Sequence, residues 1–318
     1  MLTRGYDWLW TKMTRKEITS TLLTLSERSV HGGGFSEHSG SLYRPDATAW
    51  AVLALNASGG DTAVLASARS RLGDDQLSDG RVCMAKEQPH AYWPTALAIM
   101  AWYSNRTHAE NIMKACDFLI KSGGLTFQKR SNAPSDHDPS IPGWPWIDNT
   151  FSWVEPTTLS ILALSLVGYS KHARVSEGVR LLIDRQLPSG GWNYGGTIVY
   201  GQELYPQPES TGMALTALAG KVEKREIQRS LDYLKSQAIS CRTPLSLGWT
   251  LFGLGSWGER PIETRRWIVE GLSRQKKFGA YGTTLLSLIL LAYEAKGGFL
   301  ETISLGNQSK WFKMEGSL

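Results

Sequence analysis

Three acids, Asp46, Glu155 and Glu209, each stand two residues ahead of a threonine, in PDAT, VEPT and PEST. Each of these quartets opens a segment that carries almost no charge. Carboxyls so placed have two uses. At the first turn of a helix, an acid compensates the partial positive charge of the unpaired N–H groups and helps to cap them. Facing a shared hollow, the three acids would instead serve a cationic intermediate or ligand, and a pair of them is also the equipment of a sugar-cleaving enzyme. Both uses remain open on spacing alone.

The loop TFQKRSNAPSDHDPSIPGWPWIDNTFSW (126–153) holds Asp136, His137, Asp138 and Asp148. Adjacent residues seldom converge on one ion and no second His cluster supports them, so a solvated loop is expected, with neither metal nor cofactor. The same loop carries Trp144, Trp146, Phe151 and Trp153, which must bury against a barrel mouth or a ligand. Cys83, Cys116 and Cys241 form no CxxC and no even set, so no disulfide framework or zinc knuckle follows. The histidines are isolated and none pairs with a nucleophile motif.

The elements that must position these residues repeat. TAWAVLAL (48–55), TALAIMAW (95–102), TTLSILAL (157–164), TGMALTAL (211–218), LGWTLFGL (247–254) and TLLSLILL (284–291) are apolar around the whole circumference, as in helices buried on every side. Between them lie one-sided stripes such as Ile112, Ala115, Cys116, Leu119 and Ile120, the pattern of a surface helix. Val175, Val179 and Leu182 do the same, and comparable stripes lie near 15–28, 61–72, 221–237 and 260–275. Amphipathic and fully apolar helices thus alternate six times. Six such hairpins close into an all-α, (α/α)6 toroid spanning residues 14–296. Residues 1–13 would be an N-terminal extension, and 297–318 a tail that packs outside or frays.

Connections from inner to outer helix are short, as in NASGGD (56–61) and SNRT (104–107). Those from outer to inner helix are mostly long, at 29–45, 73–92, 122–154 and 187–208. The long loops therefore share one rim, where the acids also lie, and function concentrates in such loops. A turn recurs there as well. Gln186-x-x-x-Gly190-x-Trp192, Gln275-x-x-x-Gly279-x-Tyr281 and Gln76-x-x-x-Gly80-x-Val82 each end an outer helix, and Ser29-x-x-x-Gly33-x-Phe35 lacks only the glutamine. In this reading the Gln amide bonds the last carbonyls of its helix and the indole shields that bond.

QLPSGGW, SGGWNYGG and GWPWIDNTFSWVEPTTLSILAL resemble the repeats of the squalene-cyclase and protein-prenyltransferase family, and QLPSGGW matches its QxxxGxW turn. The resemblance covers nearly the whole chain. It implies an isoprenoid ligand in a central aromatic cavity, with Trp50, Trp93, Trp144, Trp146, Trp153, Trp192, Tyr194 and Trp249 as candidate lining. It also implies a cyclase-like isomerase in which RPDATAW aligns with the DxDD motif. Asp46 then falls on the proton-donating acid, while Arg44 and Ala47 replace its acidic neighbours. Such an acid stays protonated when an apolar cavity raises its pKa, and aromatic faces then steady the cation. No Asp-x-Cys pair exists for the zinc site of the prenyltransferases. Related cyclases place the cavity between two barrels, so a second subunit or domain over the rim is one expectation. A non-catalytic toroid holding a lipid or protein is the alternative.

Composition sets the outer bounds. A net charge of +5, with bases interleaved with acids as in KVEKREIQR, argues against nucleic-acid binding and leaves room for contact with an anionic membrane surface. The N-terminus has no apolar core of a signal peptide, and the apolar stretch LLSLILLAY is too short to span a bilayer. A cytoplasmic protein, touching a membrane at most from one side, is expected.

Overall fold

A computed structural model describes residues 3–305, apart from 104 and 131. The six apolar segments form helices α2 (Pro45–Ala57), α4 (Pro94–Trp102), α6 (Val154–Leu166), α8 (Pro208–Leu218), α10 (Pro244–Ser256) and α13 (Thr283–Glu294). Each packs beside the next, and α13 packs back on α2, so the six close into a ring. Outside it lie α1 (Thr3–Ser26), α3 (Thr62–Asp74), α5 (Ala109–Lys121), α7 (Ala173–Asp184), α9 (Gln228–Ala238) and α11 (Thr264–Ser273), with α12 (Gln275–Phe278) continuing from α11. The fold is the expected α/α toroid. The backbone of residues 3–13 continues α1 instead of forming a separate extension.

The ring is sealed where its ends meet. Arg28 Nη2 donates to the Tyr281 carbonyl (2.7 Å), Thr283 N–H donates to the Glu37 carbonyl (2.8 Å), and Thr284 Oγ1 donates to Glu37 Oε2 (2.9 Å). Elsewhere glycine sets the spacing. A Cβ on Gly212 of α8 would lie 2.2 Å from the Trp249 carbonyl oxygen of α10, so these helices approach more closely than any side chain allows.

One hydrogen bond recurs through the repeats. The backbone N–H of Phe35, Val82, Trp144 and Trp192 donates to the hydroxyl of Thr48, Thr95, Thr157 and Thr211, at 2.8, 2.9, 3.0 and 2.9 Å. The inner-helix threonine thereby grips the turn that precedes it. Trp144, 23 residues beyond the end of its outer helix at Lys121, fills the same place in hairpin three that Trp192 fills in hairpin four. Each is fully buried, and each indole donates to its outer helix's last turn, Trp144 to Leu119 (2.9 Å) and Trp192 to Leu182 (2.6 Å).

This inverts the expected roles within the turn. The glutamine of Gln76 and Gln186 reaches onward to the next outer helix, to the Asn111 carbonyl (2.9 Å) and to Ser230 Oγ (2.8 Å) respectively. The indole, not the amide, satisfies the helix end. Only Gln275 bonds its own last turn, at the Leu272 carbonyl (3.3 Å).

The centre of the ring differs from expectation too. After Gly297–Gly298 the chain forms α14 (Phe299–Leu305), which packs on α2, α10 and α13. Phe299 is fully buried, with its ring 5.9 Å from Trp50, 5.5 Å from Trp249 and 5.1 Å from Phe252 between centroids. Described residues 299–305 are therefore a plug, not an outer tail, and residues 306–318 lie outside the described chain. A short hairpin, β1 (Ile198–Val199) with β2 (Gln202–Glu203), stands in the long loop before α8. It holds the 122–153 loop through Asp136 N–H to the Ile198 carbonyl (3.1 Å).

Candidate functional site

Asp46, Glu155 and Glu209 occupy the first turns of α2, α6 and α8, on the loop-rich rim. Their surroundings separate them. Asp46 is 2% exposed, and the Arg44 guanidinium grips both its oxygens, Nε to Oδ1 at 3.0 Å and Nη2 to Oδ2 at 2.5 Å. The hydrogen bonds to Asp46 in turn push the Arg44 pKa up. A two-pronged, charge-assisted pair of this kind is strong and fixes the orientation of both partners. In this arrangement Asp46 is the ion-pair partner of the residue that opens its own helix.

Glu155 stands in the opposite condition. Among the described residues it makes no hydrogen bond and no ion pair. Burial, and then the charge of Glu209 on the adjacent inner helix, push its carboxyl up to about 7. Glu209 itself accepts a hydrogen bond from Ser246 Oγ (2.8 Å), which accepts in turn from Thr243 Oγ1 (3.0 Å) at the start of α10. The rim therefore carries one carboxyl that keeps its proton to neutral pH and a neighbour supported as an acceptor. Neither Ser246 nor Thr243 was expected from the sequence, because the contact crosses from one repeat to the next.

The aromatic candidates fall into three groups. Trp144 and Trp192 are sealed in the turns described above, and the Arg174 guanidinium covers the Trp144 ring at 3.7 Å. Trp50 and Trp249 do face the ring centre, but they pack edge to face at 6.1 Å against one another, and both lie against the Phe299 ring. Trp93 and Trp146 meet edge to face at 5.3 Å, while Trp153 and Tyr194 are exposed at the rim. These last four remain within reach of a ligand at the mouth.

Beside Trp153 the rim does open. A cavity of about 460 Å³ lies between the 122–153 loop and Gly195–Gly196, walled by Phe127, Ile141, Phe151 and Trp153 with His137 and Arg185 among its few polar residues. Phe127 and Phe151 lean together, ring centroids 5.4 Å apart, and both stay half exposed. Exposed aromatics around a concave site are the usual mark of a ligand pocket, not of a core. Phe127 was not anticipated, since a lone Phe in a polar loop gives no periodic signal.

Other candidates resolve simply. Asp138 N–H donates to the Asp184 carboxylate (3.0 Å), and Asp148 lies 3.8 Å from the His90 ring. Among the described residues no group of three or more His, Cys, Asp or Glu is placed to hold a metal ion. The Cys83 and Cys116 thiols are buried, which pushes them up to about 11 and about 12 and leaves them unreactive as thiolates. No described helix is long and apolar enough to cross a membrane.

The sequence matches no protein-family model, and a search of curated proteins finds no match. Solved structures do resemble it. A protein from Actinoplanes aligns with a TM-score of 0.58 at 13% identity, over 92% of this chain and 99% of that one. The type II terpene cyclase MstE from Scytonema aligns at 0.57 and 13%, over 89% and 99%. The GH76A alpha-1,6-mannanase from Salegentibacter sp. HEL1_6 aligns at 0.55 and 11%, over 93% and 99%. At such identities the likeness is one of fold: this chain is an α/α toroid, of the kind found in a terpene cyclase and in a glycosidase alike.

Proposed function

We propose that this toroid is a cyclase-like enzyme that holds an isoprenoid at its loop-rich rim, with Glu155 in the role of proton donor that the sequence alignment gave to Asp46. The observation that carries the reading is the pairing of a proton-retaining Glu155 with an apolar, aromatic-walled cavity that begins two residues away at Trp153. The site is displaced from the ring centre, which Phe299 fills. Glu155 would deliver its proton to a substrate alkene, whose π pair forms the new C–H bond. The cation then passes along the chain until a proton is lost, returning to the carboxylate and leaving an isomer. An acid with a pKa of about 7 is a weak one for this task. Aromatic faces at the cavity and exclusion of water would have to lower the barrier by stabilising the cation.

The test is turnover of squalene and shorter isoprenoids, followed by mass analysis of cyclised products. Glu155→Gln should lower product formation by about 100-fold or more, the usual cost of losing a general acid. Asp46→Asn should retain activity. Equal product from wild type and Glu155→Gln would refute the assignment.

A second reading is favoured by one feature, the two carboxyls on neighbouring inner helices, of which burial and the charge of Glu209 push Glu155 up to about 7. That is the arrangement of acid and base in glycoside cleavage, and the mannanase shares the fold. Hydrolysis of an aryl α-mannoside that disappears in both Glu155→Gln and Glu209→Gln would establish it in place of the first.

A further inference from the structure

The rim cavity is apolar on most of its wall, but its polar groups are not equivalent. Arg185, the only full charge lining it among the described residues, is already spent: its guanidinium pairs with the Asp184 carboxylate and donates twice to the Asp138 carbonyl, at 3.4 Å each. Ser152 is engaged as the acceptor for Gly143 N–H (2.9 Å). His137 is different. Its ring makes no hydrogen bond among the described residues, and Nδ1 is sealed from solvent. Nε2 is then the ring nitrogen left to meet a ligand.

From this we infer that the cavity binds a neutral, apolar molecule carrying one hydroxyl group, which His137 recognises, and that it rejects the diphosphate ester of the same hydrocarbon. The inference rests on the proposed isoprenoid reading and narrows it to a ligand class. Three features support it. The volume, about 460 Å³, lies toward the low end of the roughly 300–1,000 Å³ usual for small-molecule sites. Burial first, and then the nearby Arg185, push the His137 pKa down, so its ring is neutral at pH 7 and can accept a hydroxyl proton. Finally, a diphosphate would bring two or more negative charges into a site whose one described cation is paired, beside Asp184 and Asp138, with only the neutral donors of Ser135, Ser152 and His137 to repay its desolvation.

Calorimetric titration of the full chain with farnesol, a farnesene and farnesyl diphosphate tests this directly. Wild type should bind the alcohol about three- to tenfold more tightly than the hydrocarbon, the usual net value of one hydrogen bond, and should bind the diphosphate more weakly than either. His137→Phe should abolish the preference for the alcohol while leaving hydrocarbon affinity unchanged, which also reports that the cavity remains folded. Equal affinity for alcohol and hydrocarbon in wild type overturns this inference and leaves the isoprenoid reading standing. Tighter binding of the diphosphate does the same. Failure of all three ligands to bind removes both.

Discussion

At the scale of single residues, the three rim acids have the same spacing and opposite fates, and the difference lies two positions upstream. Arg44 precedes Asp46, Trp153 precedes Glu155, and Gln207 precedes Glu209. The counter-ion of Asp46 was therefore visible in the sequence, although alignment presented Arg44 as a missing acid. The Ser246 contact to Glu209 was not visible, because nothing local ties residues 37 positions apart. Replacing Asp46 by Asn should cost about 1–3 kcal/mol, since it places an amide donor against a guanidinium in a buried site; thermal melts would read this as a lower Tm. Glu155 should behave in reverse. Its folded pKa of about 7 lies above the ordinary value of 4.5, so the folded state keeps a proton that the unfolded chain has lost between those limits. Stability contributed by that group is present below pH 4.5 and is lost as pH rises through 7. Glu155→Gln should thus match wild type at pH 4 and exceed it by about 1–2 kcal/mol at pH 8, a figure discounted for partial exposure from the roughly 1.4 kcal/mol per pH unit. An identical gap at both pH values would show that Glu155 is not proton-bearing. Glu209→Gln should reduce the effect by removing the neighbouring charge.

Among elements, the hairpins were legible because their periodicity is strong: fully apolar runs alternate with one-sided stripes, and all six inner helices fall where those runs lie. Less legible was what joins them. The recurring threonine carries no sign of its role in the local sequence, yet at four turns its hydroxyl is the clamp to the next helix. Adjacent residues offer a controlled comparison. Thr157 Oγ1 accepts the Trp144 N–H (3.0 Å), whereas Thr158 Oγ1 is buried with no partner among the described residues. Valine keeps the shape of either side chain and removes only the hydroxyl. Thr157→Val should cost about 1–3 kcal/mol because it strands a buried N–H, while Thr158→Val should be neutral or stabilising. Chemical denaturation of both variants checks the pair, and equal losses would mean that the clamp contributes nothing specific. The third turn lacks the motif for a physical reason. A long insertion separates Trp144 from the helix it caps, so the spacing that marks Gln186–Trp192 is absent although the hydrogen bonds are the same.

For the whole molecule, the question is what fills a ring of six helices. The sequence pointed to a hollow lined by tryptophans, and Trp50 and Trp249 do face the centre, but a segment beyond the last repeat supplies the occupant. Nothing in the periodicity of the hairpins encodes that, because α14 is one short helix outside the repeat. The glycine pair at 297–298 lets the chain turn tightly there: a Cβ on Gly298 would lie 2.5 Å from Ser256 Oγ. Once inside, Phe299 touches three aromatic rings from two inner helices, α2 and α10, and so ties hairpin one to hairpin five across the ring. Phe299→Ala should therefore do two things at once. It should cost about 3–5 kcal/mol, the range for deleting a buried aromatic ring, and it should leave an apolar void walled by Trp50, Trp249 and Phe252. Apolar voids of that kind stay dry and accept small hydrocarbons. Benzene should accordingly raise the Tm of Phe299→Ala and leave wild type unchanged. If the variant loses stability but gains nothing from benzene, the inner helices close on the vacancy, and the ring is held open by Phe299 itself and not by the packing of its six hairpins.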